Sequence, residues 1–197
     1  MSPFVYPARA RERSHAPRGY VSVHGYRDWL RDEFEFRCVY CLLRECWVPG
    51  GFHLDHFKPV SVLPESGLNY ENLLYACATC NAAKADQLIP DPTRELLRDA
   101  ISVDADGLLH PWTEQAQRLV RQLGLNRPRY CQFRQTWIGI VSLIKRLDSE
   151  LQRAVLGYPD DLPDLSVRRP PEGNERSAGI AESHFERRRL GTLPATY

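Results

Sequence analysis

The chain has 197 residues, 43% of them hydrophobic, and a formal net charge of +1 at pH 7. This length allows one domain with a substantial core, or a small unit with a helical partner. The balanced charge excludes a uniformly basic nucleic-acid binder but is compatible with a local basic groove. No signal peptide is recognisable, and the longest apolar run, from Trp137 to Ile144, is too short to span a membrane, so we expect no membrane contact.

Arginine and proline dominate the first 20 residues. The four arginines are Arg9, Arg11, Arg13 and Arg18. Such a stretch buries little apolar surface, so we expect residues 1–20 to form a basic flexible arm that binds an acidic partner, or else a solvated tail. The helical spacing of Tyr26, Trp29 and Leu30 then predicts a helix over 24–36, with aromatic side chains that pack on the following segment.

Two C-x-x-C pairs follow, Cys38/Cys41 and Cys77/Cys80. Each turn brings two thiolates within reach of one ion, and four thiolates complete a tetrahedral zinc site. We therefore predict a structural zinc ion on these cysteines, with two disulfides or four buried thiols as the alternatives. The long gap between the pairs indicates that the intervening segment folds as a unit, most simply a hairpin.

A short strand is predicted over 51–57, between a Pro-Gly-Gly turn and Lys58-Pro59. Residues 38–47 should form the first zinc knuckle and the strand that pairs with it. A carboxylate suits Mg²⁺ or Mn²⁺, whereas a neutral imidazole suits proton abstraction, so we predict Asp55 as a metal ligand and His56 as a general base. His53 shares the strand face of Asp55 and is either a third metal or phosphate contact or a surface histidine.

Taken together, these motifs resemble those of the HNH endonucleases. The matching positions are Cys38, Cys41, Asp55, His56, Asn72, Cys77, Cys80, Asn81 and Lys84. The resemblance implies a ββα-metal, treble-clef-like finger in which His56 activates the attacking water and Asp55 binds the catalytic cation. It also implies that Asn72 fixes the loop that carries the histidine, that Asn81 is the second metal ligand and that Lys84 contacts a phosphate. Asparagine at the last position matches the H-N-N variant and favours a hard cation, Mg²⁺ or Mn²⁺, over zinc there.

Phosphodiester cleavage requires an activated water and neutralisation of the charge that grows on the phosphate. One cation with a histidine base is sufficient, and the motif contains no second carboxylate cluster that would demand two cations. We therefore predict a metal-dependent endonuclease, a hydrolase acting on DNA. Two alternatives stay open: a zinc-dependent nucleic-acid-binding module that does not cleave, and a nuclease directed to RNA.

The rest of the chain is predicted to be mainly helical. Asp106-Gly107 indicates a small hairpin, and Thr113 caps a helix that Gly124 ends. Asn126 caps a longer helix, with Pro128 in its first turn, that runs to Gly157. Its apolar stripe is expected to pack on the finger, which favours a monomer over a homodimer. Its arginines Arg127, Arg129 and Arg134 could extend a phosphate-contacting face.

The predicted fold is α+β, a zinc-stapled ββα finger with a mainly helical C-terminal extension. The predicted units are the arm (1–20), a nuclease domain (21–90), a helical extension (91–157) and a proline- and arginine-rich tail without fixed structure (158–197). Free thiols, including Cys46 and Cys131, suit the reducing cytoplasm. A protein partner could supply sequence specificity, because the finger itself contacts the nucleic-acid backbone.

Overall fold

Two small antiparallel sheets and a set of mostly short helices make up the described part of the chain. The structure is a computed structural model that describes residues 2–147 and 149–197. In chain order its elements are α1 (Arg27–Glu33), β1 (His53–His56), β2 (Leu73–Ala76), α2 (Ala78–Lys84), α3 (Pro92–Glu95), β3 (Ile101–Val103), β4 (Leu109–Pro111), α4 (Glu114–Gln122), α5 (Pro128–Leu147), α6 (Ser149–Leu156) and α7 (His184–Arg189). This is an α+β fold with a zinc-binding type of finger at its centre.

The central unit is a hairpin followed by a helix. Strand β1 pairs antiparallel with β2, and Asp55 lies opposite Leu74 while His56 lies opposite Leu73. Every residue of β2 is buried, because its apolar side chains belong to the hydrophobic core. Helix α2 begins directly after β2, so the chain forms the predicted ββα order.

The strand pairing within this unit corrects one prediction. Residues 38–47 do not pair with β1; they close on themselves through an isolated bridge between Arg37 and Arg44. The Cys38 N–H donates to the Leu43 carbonyl at 2.9 Å, and Leu42 has a φ of 59° in the left-handed region. The Val39 N–H of this turn donates to the Tyr75 carbonyl of β2, and β1 pairs with the other edge of β2.

The second sheet and its helices follow the sequence prediction closely. Strands β3 and β4 pair across the Asp106-Gly107 turn, and the Thr113 side chain accepts a hydrogen bond from Ala116 N–H at the start of α4. The predicted long helix is described as α5 and α6, on either side of position 148, which lies outside the described residues. No helix in the described ranges is both long enough and apolar enough to cross a bilayer.

Two polar residues, Asn126 just before α5 and Arg134 within it, have other contacts than those predicted. The Asn126 side chain does not cap α5 but bonds Leu109, accepting from its N–H at 2.9 Å and donating to its carbonyl at 2.8 Å. Arg134 is 2% exposed and donates to the Gly107 and Leu125 carbonyls, so it holds the hairpin to α5. Its guanidinium is therefore no part of an exposed phosphate-contacting face.

Both terminal segments pack on the finger, which corrects the prediction that they lack fixed structure. Pro17 bridges Asn174, and Ala16 N–H donates to the Asn174 side chain at 2.8 Å. Further buried residues of the two segments are Phe4, Tyr6, His15, Leu162, Leu165, Ser183 and His184. The two segments form hydrogen bonds with each other and bury a few apolar side chains. A prediction of disorder from composition takes neither kind of contact into account.

A buried carboxylate on α1 joins the two segments. Asp32 accepts from His15 Nε2 at 3.0 Å through one oxygen and from His184 Nδ1 at 2.9 Å through the other. The His184 N–H also donates to it at 2.8 Å. Burial alone would raise the pKa of Asp32, but the hydrogen bonds from His15 and His184 outweigh burial and lower it to about 2.

Asp32→Asn should therefore remove an acid-sensitive part of the stability. A carboxyl whose folded-state pKa is lowered stabilises the fold above its unfolded-state pKa and loses that contribution as the pH falls towards the folded-state value. Between pH 4 and pH 2 we expect the wild-type free energy of unfolding to fall by about 2 kcal/mol more than that of Asp32→Asn. Urea titrations across this range measure the difference, and parallel curves for the two proteins would contradict the prediction.

Candidate functional site

The four predicted zinc cysteines meet in one buried cluster. Their sulfur atoms all lie within 4.8 Å of one another, and none of them forms a disulfide. The Cys41 and Cys77 sulfurs are 3.8 Å apart, which matches the separation of about 3.8 Å between two thiolates bound tetrahedrally at 2.3 Å. The donor set and its geometry therefore fit a zinc ion, and no disulfide joins these four cysteines in the structure.

Local structure acts differently on the individual cysteines of the cluster. Cys77 is the N-cap of α2, and its sulfur accepts from Cys80 N–H at 3.5 Å. Burial raises the pKa of Cys38, while hydrogen bonds from Cys38 and Cys41 lower the pKa of Cys77. Buried thiolates packed this closely need a cation to balance their charge, and a structural zinc ion bound by the four cysteines would supply it.

An open cleft of about 390 Å³ lies between β1 and α2. Four of the predicted site residues line it together: Asp55, His56, Asn81 and Lys84. The strand and the helix bring them together although 28 positions separate His56 from Lys84. Asn72 lies outside the cleft lining, at the start of β2.

The His56 ring is oriented by the loop that follows β1. Its Nε2 lies 2.9 Å from the Gly67 carbonyl oxygen. Because a carbonyl only accepts, Nε2 carries the proton of the neutral imidazole, and Nδ1 is left as the acceptor. A histidine held in this tautomer can take a proton from a water molecule through Nδ1.

The Asp55 carboxylate has a hydrogen-bond or charge partner on each oxygen. The Tyr40 hydroxyl donates to Oδ2 at 2.6 Å, and the Lys84 ammonium lies 3.1 Å from Oδ1. Burial raises the pKa of Asp55, while the Tyr40 hydrogen bond and the Lys84 charge act in the opposite direction. Tyr40 and Lys84 thus favour the ionised carboxylate at a buried position.

Lys84 differs from its predicted role as a phosphate contact. Its side chain is 1% exposed, and the ammonium donates to the His56 carbonyl at 2.5 Å as well as pairing with Asp55. A third, longer hydrogen bond goes to the Ala85 carbonyl at 3.3 Å, so all of its partners belong to the protein itself. The structure therefore makes Lys84 a link between α2 and the strand that carries both Asp55 and His56.

Lys84→Ala should consequently destabilise the protein rather than merely weaken phosphate binding. Removing one partner of a buried ion pair leaves the other charge uncompensated, so we expect the free energy of unfolding to fall by about 3 kcal/mol. Denaturant unfolding measures this loss. Lys58→Ala, which removes an exposed lysine near the same cleft, is the control and should stay within about 0.5 kcal/mol of wild type; equal stabilities for the two variants would contradict the assignment.

Asn72 ties the loop after β1 to the start of β2. Its Oδ1 accepts from Lys58 N–H at 2.8 Å, and its Nδ2 donates to the Lys58 carbonyl and to the Ser66 hydroxyl, both at 2.9 Å. The Phe57 N–H donates to the Asn72 carbonyl at 2.8 Å. One buried amide thus holds both ends of the loop whose Gly67 carbonyl orients His56.

Asn72→Ala should release this loop. The lost side chain leaves the Lys58 N–H and carbonyl without their partner, which costs about 1 to 3 kcal/mol of stability. Urea unfolding measures the cost. Asn81→Ala is the matched control, because the Asn81 amide is partly exposed and should contribute less than about 0.5 kcal/mol; a loss as large for Asn81→Ala would contradict the prediction.

His53 is not among the residues that line the cleft, but it is a neighbour of Asn81, which does line it. The Asn81 Nδ2 lies 3.3 Å from the Nδ1 atom of His53, and the His53 side chain is exposed. The third-contact alternative for His53 therefore stays a prediction. Arg44 is 2% exposed and is not among the residues that line this cleft.

The sequence reading missed the residues that hold the site residues in place. Tyr40 lies between the first two cysteines of the cluster, at a position of the C-x-x-C motif that any residue type can occupy. Its hydroxyl nevertheless donates a hydrogen bond to Asp55. Gly67 and Ser66 act through a carbonyl and a hydroxyl of an irregular loop. Such roles depend on three-dimensional approach, and no pattern of residue types signals them.

Comparison with known families gives one finding for this region. Residues 38–87 match the family model described as HNH endonuclease. The match begins at Cys38, covers both cysteine pairs and the hairpin, and ends three residues after Lys84. A comparison with curated proteins gives no match.

Proposed function

Residues 38–87 carry an HNH endonuclease domain, and from this premise we propose that the chain is a metal-dependent endonuclease that hydrolyses phosphodiester bonds of DNA. The observation that supports it is the cleft shared by Asp55, His56 and Asn81 beside a four-cysteine zinc site. A binding module would need basic residues at this cleft. Its lysine, Lys84, is instead buried against Asp55.

His56 acts as the general base in this proposal. The Gly67 carbonyl keeps the proton on Nε2, so Nδ1 accepts the proton of the water that attacks the phosphate. The cleft is open, which allows a nucleic-acid backbone to approach that atom. Asn72 contributes by fixing the loop, and it is a positioning residue because its amide touches only the protein.

Asp55 and Asn81 are the proposed ligands of the catalytic cation. Mg²⁺ or Mn²⁺ bound there would neutralise charge on the phosphate and on the leaving oxygen. Carboxylate and amide oxygens suit these hard cations. His53, which touches Asn81, is the candidate third ligand, while Tyr40 and Lys84 hold the Asp55 carboxylate in place.

The cysteine cluster has the separate role of a structural zinc site. Its four cysteines are buried, and none of them is among the residues that line the cleft. All six cysteines are free thiols in the structure, and the reducing cytoplasm is the location that we propose for the protein. We further propose that the finger contacts the nucleic-acid backbone and that sequence preference comes from a partner or from the helical extension.

Oligonucleotide cleavage tests the substrate and the cation together. Labelled duplex DNA, single-stranded DNA and RNA of one sequence would be incubated with zinc-loaded protein in Mg²⁺, Mn²⁺ or EDTA. We expect cuts in DNA that require a divalent cation, and a higher cation requirement for Asp55→Asn and Asn81→Ala than for the control Gln87→Ala. Cleavage of RNA alone would move the substrate to RNA, and binding without any cleavage would favour a non-cleaving module.

A further inference from the structure

A second basic site lies outside the catalytic cleft, on the turn that carries the first two zinc cysteines. Arg37 and Arg44 are directly opposite each other in an isolated antiparallel bridge. Residues paired in this way project their side chains from the same face, and like charges at such positions repel. The turn therefore holds two guanidinium groups on one face despite their electrostatic repulsion.

Neither guanidinium group has an acidic partner within the part of the chain that the structure describes. Arg44 is 2% exposed and donates from Nη1 to the Leu156 carbonyl at 3.0 Å. The Nε atoms of Arg37 and Arg44 are both buried without a hydrogen-bond partner. Glu35, the carboxylate that acts on Arg37 electrostatically, lies 3.6 Å from Arg11.

Burial and repulsion weaken the charged state of this pair. Burial lowers the pKa of Arg37, and burial followed by the nearby Arg37 charge lowers the pKa of Arg44 to about 10. A buried cation without a counter-ion is costly, and natural proteins pair such groups. The missing counter-charge is the feature that points to a ligand.

The two arginines line a cavity of about 250 Å³. Its described lining contains no aspartate or glutamate, and its other polar residues are Ser2, Gln152, Thr196 and Tyr197. The volume is below the range of about 300 to 1,000 Å³ that accommodates drug-sized ligands. A cationic cavity of this size suits a small anion.

Aromatic rings hold the guanidinium groups in place. The Tyr197 ring centre lies 4.0 Å from the guanidinium carbon of Arg44 and 4.5 Å from that of Arg37. Tyr197 stacks in turn on Tyr158 at 4.3 Å, and Trp47 lies 5.3 Å from Arg44. Planar cations fixed in this way are preorganised for the oxygens of a phosphate, which arginine binds with two parallel hydrogen bonds.

We propose that Arg37 and Arg44 form a phosphate-binding site in this cavity. The phosphate is either free, as inorganic phosphate or a small phosphomonoester, or it belongs to the backbone of bound nucleic acid. The second source rests on the proposed function, whereas the first is independent of it. Phosphate binding places two hydrogen-bonding oxygens between guanidinium groups that the fold otherwise leaves without a counter-charge.

Isothermal titration calorimetry of the full, zinc-loaded chain tests this site without divalent cations, so that no cleavage occurs. Sodium phosphate, thymidine 5′-monophosphate and a short DNA duplex would be titrated at matched ionic strength, with sodium chloride as the blank. We expect saturable binding that is weakened roughly tenfold or more in Arg37→Gln. Arg153→Gln is the matched control, because Arg153 is an exposed arginine on α6, the helix that also carries the cavity residue Gln152.

The outcomes distinguish the two sources. Binding of phosphate or monophosphate that depends on Arg37 identifies a free ligand, and binding of the duplex alone that depends on Arg37 identifies the backbone. Absence of binding by all three, or equal losses in Arg37→Gln and Arg153→Gln, overturns the site. If Arg37→Gln melts below wild type, the decisive measurement is the rise in melting temperature on replacing chloride by phosphate, because phosphate also stabilises proteins without binding a site. A rise several degrees larger in wild type and Arg153→Gln than in Arg37→Gln supports the site, and equal rises in all three proteins overturn it.

Discussion

His56→Ala should reduce the single-turnover rate of DNA cleavage by about 10²- to 10⁴-fold while leaving DNA affinity close to that of wild type. A positioned general base contributes this much to the rate, because it removes the proton as the water attacks. The His56 ring is half-buried, with its Nε2 bonded to the Gly67 carbonyl, so its removal costs one hydrogen bond of the loop and little core. The rate measurement uses enzyme in excess over a labelled duplex at saturating Mg²⁺.

His24→Ala is the matched control, because His24 lies at the start of the chain's first helical turn, far along the chain from the cleft. It should cleave at the wild-type rate. Equal losses in both variants would show that general destabilisation, rather than the base, limits cleavage. Cleavage by His56→Ala within about threefold of wild type would remove His56 from the mechanism.

Cys77→Ser should abolish folding of the finger. Structural zinc sites contribute about 10 to 16 kcal/mol of apparent binding free energy, which is comparable to or larger than the total stability of about 5 to 15 kcal/mol typical of a domain. Cys77 is both a cluster sulfur and the N-cap of α2. We therefore expect a variant without bound zinc, with reduced helical circular dichroism and no cooperative melting transition.

The control for this variant is Cys46→Ser. Cys46 is an exposed free thiol outside the cluster, so its replacement should leave about one zinc ion per chain and an unchanged melting curve. Treatment of wild type with a strong chelator should reproduce the Cys77→Ser spectrum. A Cys77→Ser protein that keeps its zinc and its transition would exclude the cluster as the structural site.

The finger was predictable because its information is local. Two C-x-x-C turns fix four sulfurs, the hairpin and helix are read from short runs of residues, and the Thr113 cap lies three residues from the group it bonds. The four-cysteine cluster was therefore predictable from the sequence, and Asp55, His56, Asn81 and Lys84 share one cleft, while their catalytic roles stay predictions. It paired β1 with the wrong segment, since several short apolar runs compete for one strand edge and the bridge between Arg37 and Arg44 has no sequence signature.

The remaining differences arise from long-range contacts. Asp32 binds histidines 17 residues before it and 152 residues after it, and no local pattern connects such positions. Lys84 matches a basic motif position, but only the packing of α2 on β1 shows that its ammonium forms an ion pair with Asp55. A buried arginine such as Arg134 is equally indistinguishable, in sequence, from an exposed one.

Nicking of supercoiled plasmid DNA tests the central claim most directly. Zinc-loaded wild type and His56→Ala would be incubated with plasmid in Mg²⁺ or in EDTA, with the zinc content of each protein determined alongside. The account predicts nicking by wild type in Mg²⁺ alone, and none by a His56→Ala protein that retains about one zinc ion per chain. Nicking in EDTA, or equal nicking by both proteins, would contradict it.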